Sequence, residues 1–144
     1  MNTSEVIKKA RSEKGLSKNK LSVALGISEM HVYDLESYEN ELEDTLSIKQ
    51  IFVLSKLLKI PTENLCAELG QCKLAPQQAF TEIKNQIIQS GLPIEILSEQ
   101  VGWELEFCAK SMESIKKQPI MFFRDFGLYF KIPLCKILPE ITIT

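Results

Sequence analysis

The chain has 144 residues, 44% of them hydrophobic, enough for one ordinary domain or two small ones that bury roughly 68–70% of their unfolded surface. Seventeen Lys and Arg against nineteen Asp and Glu leave a net charge of −2, so no general basic field attracts nucleic acid or an anionic membrane. With six Gly, six Pro and 25% charged residues, the composition excludes collagen-like, low-complexity and disordered classes.

Helical apolar periodicity runs nearly throughout, which predicts an all-α protein. The first helix is expected from about Ser4 to Lys14, with Val6, Ile7 and Ala10 inward, ending at Gly15. Ser17 caps a second, Lys18 to Leu25, whose inward face is Leu21, Ala24 and Leu25 and whose stop is Gly26. Ser28 caps a third, Glu29 to about Ser37, with Val32 and Leu35 inward. A loop follows, and then Ser47 and Gln50 form a capping box ahead of a helix from Ile48 to Leu58. Pro61 and Thr62 start the fifth helix, Glu63 to Leu69.

No apolar run approaches the length of a membrane span, and residues 1–10 lack the apolar core of a secretory signal, so a cytoplasmic protein is expected. Cys66, Cys72, Cys108 and Cys135 are too irregularly spaced for zinc and are expected as thiols in that compartment. His31 is the single histidine. No Ser-His-Asp set, metal-ligand cluster or Gly-rich phosphate loop is visible, and the expectation is a non-enzyme with no cofactor and no metal.

The Gly26-Ile27-Ser28 turn between two short helices is what a tight helix-turn-helix requires. Together with Arg11, Gly15-Leu16-Ser17, Leu21, Val32, Glu36, Leu54, Leu58-Lys59-Ile60-Pro61 and Leu65, it makes residues 7–65 resemble the Cro and phage-repressor (XRE-type) helix-turn-helix domain. The resemblance implies five helices, the third reading DNA, and an ion pair between the positions of Arg11 and Glu36.

The pattern recurs. An offset of 76 places Ile7-Lys8 on Ile83-Lys84, Gly15-Leu16 on Gly91-Leu92, Leu21-Ser22 on Leu97-Ser98 and Gly26 on Gly102. After a four-residue deletion the offset is 72, and Ile48 meets Ile120 while Lys59-Ile60-Pro61 meets Lys131-Ile132-Pro133. Arg11 and Glu36 correspond to Ile87 and Met112, so both charges vanish together, as a structural duplicate demands. The expected architecture is therefore two tandem five-helix, repressor-like bundles, residues 1–72 and a divergent copy at 76–144. Phe122, Phe123, Phe126, Tyr129 and Phe130 are expected in the core of the second.

The positions that face DNA in the resembled class are Lys18, Asn19, Glu29, Met30, His31, Tyr33 and Asp34, and the third helix offers none of the Arg, Lys, Asn or Gln that direct readout favours. From Ser28 to Thr45 there are seven acids, Glu29, Asp34, Glu36, Glu39, Glu41, Glu43 and Asp44, and no base. Each exposed acid at about 6 Å repels a phosphate by roughly 0.7 kcal/mol even in bulk water. The equivalent helix of the second copy begins Leu105-Glu106-Phe107, with Leu105 and Phe107 expected to face outward. The first twenty residues, in contrast, carry six bases and two acids.

These features predict a protein-binding module that grips a basic protein through Glu29, Tyr33, Asp34, Tyr38, Glu39, Glu41, Glu43 and Asp44, extended by Leu105 and Phe107. In size and charge pattern the chain is similar to immunity proteins of bacterial toxin systems, which implies neutralisation of a toxin nuclease. The alternative is a transcription regulator contacting DNA through Lys18, Asn19, Met30, His31 and Tyr33. A solvated loop is the competing explanation of the acid run.

Overall fold

The computed structural model describes residues 2–70 and 74–140, and they are mostly helical. Among the described residues there is no strand, only an isolated parallel bridge between Leu74 and Pro139. No helix is long and apolar enough to cross a membrane. The chain divides into two compact units, residues 1–70 and 71–142. The expected boundary at 71–72 and the terminal residues 141–144 lie outside the described residues.

The first unit contains α1 (Thr3–Glu13), α2 (Lys18–Leu25), α3 (Glu29–Ser37), α4 (Glu41–Thr45), α5 (Ile48–Leu58), α6 (Thr62–Leu65) and a 3-10 turn at Ala67–Gly70. Local chemistry sets most of these ends. Ser17, Ser28 and Ser47 accept from the N–H groups of Lys20, His31 and Gln50, each three residues on, at 3.0–3.2 Å. Asn2 and Glu5 form a further capping box. Gln50 also donates through Nε2 to the carbonyl of Leu25 at 2.9 Å, holding α5 against the end of α2. Ile7, Leu21, Leu25, Val32, Leu35, Ile48, Ile51 and Leu54 are buried together.

Three expectations for this unit change. Ala24 is exposed, because α2 turns Leu21, Ser22 and Leu25 inward and leaves Ala24 at the edge of that stripe. The segment read as a loop holds α4, which buries Leu42 and brings Glu41, Glu43 and Asp44 into a helical first turn, where the helix dipole favours acids. The fifth expected helix ends at Leu65, since Cys66 is extended and the remainder is a 3-10 turn.

The second unit contains α7 (Pro76–Gln89), α8 (Ile94–Val101), α9 (Glu106–Lys110), α10 (Met112–Lys116), α11 (Ile120–Phe130) and a 3-10 turn at Leu134–Lys136. Pro76 occupies the first turn of α7, and Pro93 and Pro119 precede α8 and α11. Phe122, Phe123 and Phe126 are fully buried, with the ring of Trp103 edge-on to Phe122 at 5.8 Å. Tyr129 is instead exposed, its hydroxyl donating to Gln100 Oε1. The helix expected around Leu105 to Glu113 is broken at Ser111, whose extended backbone caps α10.

Backbone conformation follows the sequence offsets. Among the described residues the positive φ angles are at Gly15 (66°) and Gly91 (69°), Gly26 (71°) and Gly102 (88°), and Lys59 (55°) and Lys131 (56°). Each ends or follows a helix at the same place in its unit.

Candidate functional site

The face of α3 that points to solvent follows from its buried stripe. Val32, Leu35 and Glu36 face inward, so Met30, Tyr33 and Ser37 project outward, with Glu29 and Tyr38 at the two ends. Met30, Tyr33 and Tyr38 are each at least half exposed. The ammonium of Lys18, from α2, sits 5.0 Å from the centroid of the Tyr33 ring, a cation–π contact that holds the ring in place. Asp34 is half-buried beside this stripe.

α3 is anchored from beneath by Arg11 of α1. Its Nε and Nη2 donate to the two carboxylate oxygens of Glu36, the latter at 3.1 Å, and its Nη1 donates to the carbonyl of Leu16 at 2.8 Å. The side chains are 13% and 3% exposed. The hydrogen bond from Arg11 to the Glu36 carboxylate raises the arginine's pKa above its ordinary value, against the opposing effect of burial.

The seven acids of the run separate into different environments. Glu36 faces inward to Arg11. Glu41 is half-buried, with Oε1 3.8 Å from His31 Nε2. Glu43 is half-buried beside Cys66 and Glu68. Glu29, Glu39 and Asp44 are exposed. Sequence counting treats all seven as one surface, but each helical residue turns about 100° from the next, so adjacent acids meet different neighbours.

His31 also differs from a base-edge reader. Its Nε2 lies 2.6 Å from Thr45 Oγ1, and that hydroxyl already donates its proton to the carbonyl of Glu41 at 2.7 Å. The imidazole must therefore donate through Nε2–H, joining α3 to the end of α4. Of the other residues named for the DNA alternative, Asn19 is exposed and Lys18 is half-buried against Tyr33.

In the second unit Phe107 is half exposed, but Leu105 is fully buried, which corrects the expectation that it faces outward. α9 begins one residue later than the offset implies, leaving Leu105 as its preceding residue with its N–H donating to Ser98 Oγ at 3.0 Å.

Among the described residues, one group has metal-ligand atoms close together: Glu43, Cys66 and Glu68, within 4.8 Å of one another. It offers three donors of mixed hardness, and the buried Cys66 thiol points to Glu68 Oε1 at 3.5 Å. The cysteines also divide. Cys66 and Cys108 are buried thiols, and burial, aided by the nearby charge of Glu104, pushes the Cys108 thiol up to about 12. Cys135 is disulfide-bonded, contrary to the expectation of a thiol, which rested on a reducing compartment; a bridge needs only two sulfurs close in space and oxidising surroundings. Cys72 lies outside the described residues.

Sequence reasoning missed Trp103, whose Nε1 donates to Asp125 Oδ2 at 2.8 Å above a recess rimmed by Glu95, Glu99, Glu104 and Glu106. The signal available was the single Trp beside four acids within twelve residues. The chain matches no protein-family model, no curated protein and no solved structure.

Proposed function

We propose that the chain is a non-enzymatic protein-binding module built on two tandem repressor-like helix-turn-helix bundles, and that it neutralises a cationic partner such as a bacterial toxin nuclease. The observation that carries this reading is the solvent face of α3. It presents Met30, Tyr33 and Tyr38 with Glu29 and Glu39 at its ends, and no Arg, Lys, Asn or Gln on the helix itself. Tyr and Met are favoured at the centres of protein interfaces, and acids at the rim steer a basic partner.

The tandem reading is supported by the three pairs of positive-φ residues, which fall at the offsets of 76 and 72 found from side-chain identity alone. It is supported again by Arg11 and Glu36, whose pair in the first unit corresponds to Ile87 and Met112 in the second. The first unit has an additional short helix, α4, and the second divides its third helix at Ser111.

The DNA-binding alternative is favoured by the left-handed Gly26 between α2 and α3 and by Asn19 and Lys20, exposed in the first turn of α2. One comparison separates the two readings. A basic protein encoded beside this chain is the partner to be tested. Tyr33→Ala or Tyr38→Ala is expected to speed its dissociation about 30-fold, the effect of losing an anchor worth about 2 kcal/mol. Reversing Glu29, Glu39 and Asp44 should mainly slow association and reduce its salt dependence. Sequence-selective binding of duplex DNA at physiological salt, tighter than about 10⁻⁶ M, would transfer the reading to transcription regulation.

A further inference from the structure

We infer that the second unit pairs with a second copy of this chain through the corner where α7 meets α8. Ile88, Leu92 and Ile96 are 71%, 39% and 45% exposed there. Ile88 lies in the last turn of α7, Leu92 in the short connection and Ile96 in the first turn of α8, so all three flank the α7–α8 connection. Between Lys84 and Glu95 there are ten consecutive residues without a charge. Folding does not demand this. On the tandem reading the equivalent stretch of the first unit, residues 9–18, carries five charges, and Ser12 and Lys20 stand in place of Ile88 and Ile96. The same corner of the same fold is thus compatible with a solvated surface. Its apolar character in the second unit calls for a covering surface.

Charge selects the occupant. A cationic protein gains nothing from ten uncharged residues, and the equivalent corner of the first unit would bring lysines against isoleucine. The patch is bounded one helical turn before Ile88 by Lys84, whose ammonium rests 5.1 Å from the Phe80 ring centroid, and on the α8 side by two exposed acids, Glu95 beside Ile96 and Glu99 one turn beyond it. A positive end and a negative end about an apolar centre are self-complementary under a two-fold axis, which sets Lys84 of each copy against Glu99 of the other. The net charge of −2 per chain leaves little repulsion between copies. A two-fold contact closes on itself and gives a dimer, not a filament. Three aliphatic side chains and their rim make a small interface, so the dissociation constant is expected between about 10 and about 100 μM.

Sedimentation equilibrium of the full chain tests this between roughly 1 and roughly 500 μM, a span that brackets weak protein–protein affinity. The expected result is a rise from 16.4 kDa toward twice that mass. Ile88→Lys with Ile96→Lys should hold the protein monomeric throughout, with unchanged helical circular dichroism because both positions face solvent. Lys84→Glu alone should weaken the dimer several-fold, and Lys84→Glu combined with Glu99→Lys should restore it. A wild-type monomer at the highest concentration, or a dimer insensitive to the isoleucine changes, overturns the proposal; failure of the charge swap to restore pairing overturns the two-fold arrangement. None of these outcomes depends on Tyr33 or Tyr38, so the dimer and the partner-binding reading fail separately.

Discussion

Arg11→Ala is expected to be the most damaging single substitution at the surface of the first unit. Glu36 has a side chain only 3% exposed and receives two hydrogen bonds from the guanidinium. Removing Arg11 leaves that carboxylate buried without its counter-charge and frees the carbonyl of Leu16, and breaking a buried pair from one side costs about 3–5 kcal/mol. A unit of this size has a total stability of roughly 3–10 kcal/mol, so the loss consumes much of it and lowers the melting temperature by at least about 12 °C. Replacing both partners, as Arg11→Ile with Glu36→Met, copies the residues of the second unit and should cost no more than about 2 kcal/mol, because no charge remains unpaired. Thermal and urea unfolding followed by far-ultraviolet circular dichroism measures both. Fluorescence of Trp103, the single Trp, reports on the second unit and serves as an internal reference. A cost below about 1 kcal/mol for Arg11→Ala, or a double variant as unstable as the single one, would refute the reasoning.

Lys59 and Lys131 have left-handed backbones at φ 55° and 56°, so Lys59→Gly or Lys131→Gly should stabilise its unit by about 0.5–1 kcal/mol, read as a higher denaturation midpoint. Gly26→Ala works in the opposite direction. Its Cβ would meet nothing within 4 Å, so the expected cost, about 1–2 kcal/mol, comes from φ at +71° alone, and an unchanged midpoint would argue against this turn geometry. Cys108 has its pKa raised from 9.0 to about 12 by burial, so the folded state holds a neutral thiol where the unfolded chain ionises. The second unit should therefore lose stability as pH rises from about 9 to about 12, and Cys108→Ala should flatten that dependence. Cys66 and Cys108 should resist iodoacetamide at pH 8 until denaturant opens the fold, as followed by mass spectrometry.

Helix ends were legible in the sequence because the interactions that set them are local. Ser17, Ser28 and Ser47 need only an N–H three residues away, and Gly26 needs only the absence of a Cβ, so each acts much the same in any surrounding fold. The buried stripes of Ile7, Leu21, Val32, Ile48 and Leu54 were legible for a related reason, since hydrophobic periodicity records which side of a helix faces the core. The relation between Arg11 and Glu36 was implied by the family resemblance, while the structure supplied its burial and the bond to Leu16.

Tertiary structure alone decided what the remaining polar groups face. A run of acids specifies charge but not direction. Only the packing of α4 on α3 turned Glu41 toward His31, while Glu43 came beside Cys66 and Glu68, leaving Glu29, Glu39 and Asp44 exposed. The burial of Leu105 depended on its place ahead of α9, where its N–H bonds to Ser98 seven residues earlier. The disulfide at Cys135 likewise depended on two sulfurs meeting in space. Side-chain identity determines which groups can interact, whereas contact between residues distant in sequence is set by how whole elements pack, and that is a property of the assembled core.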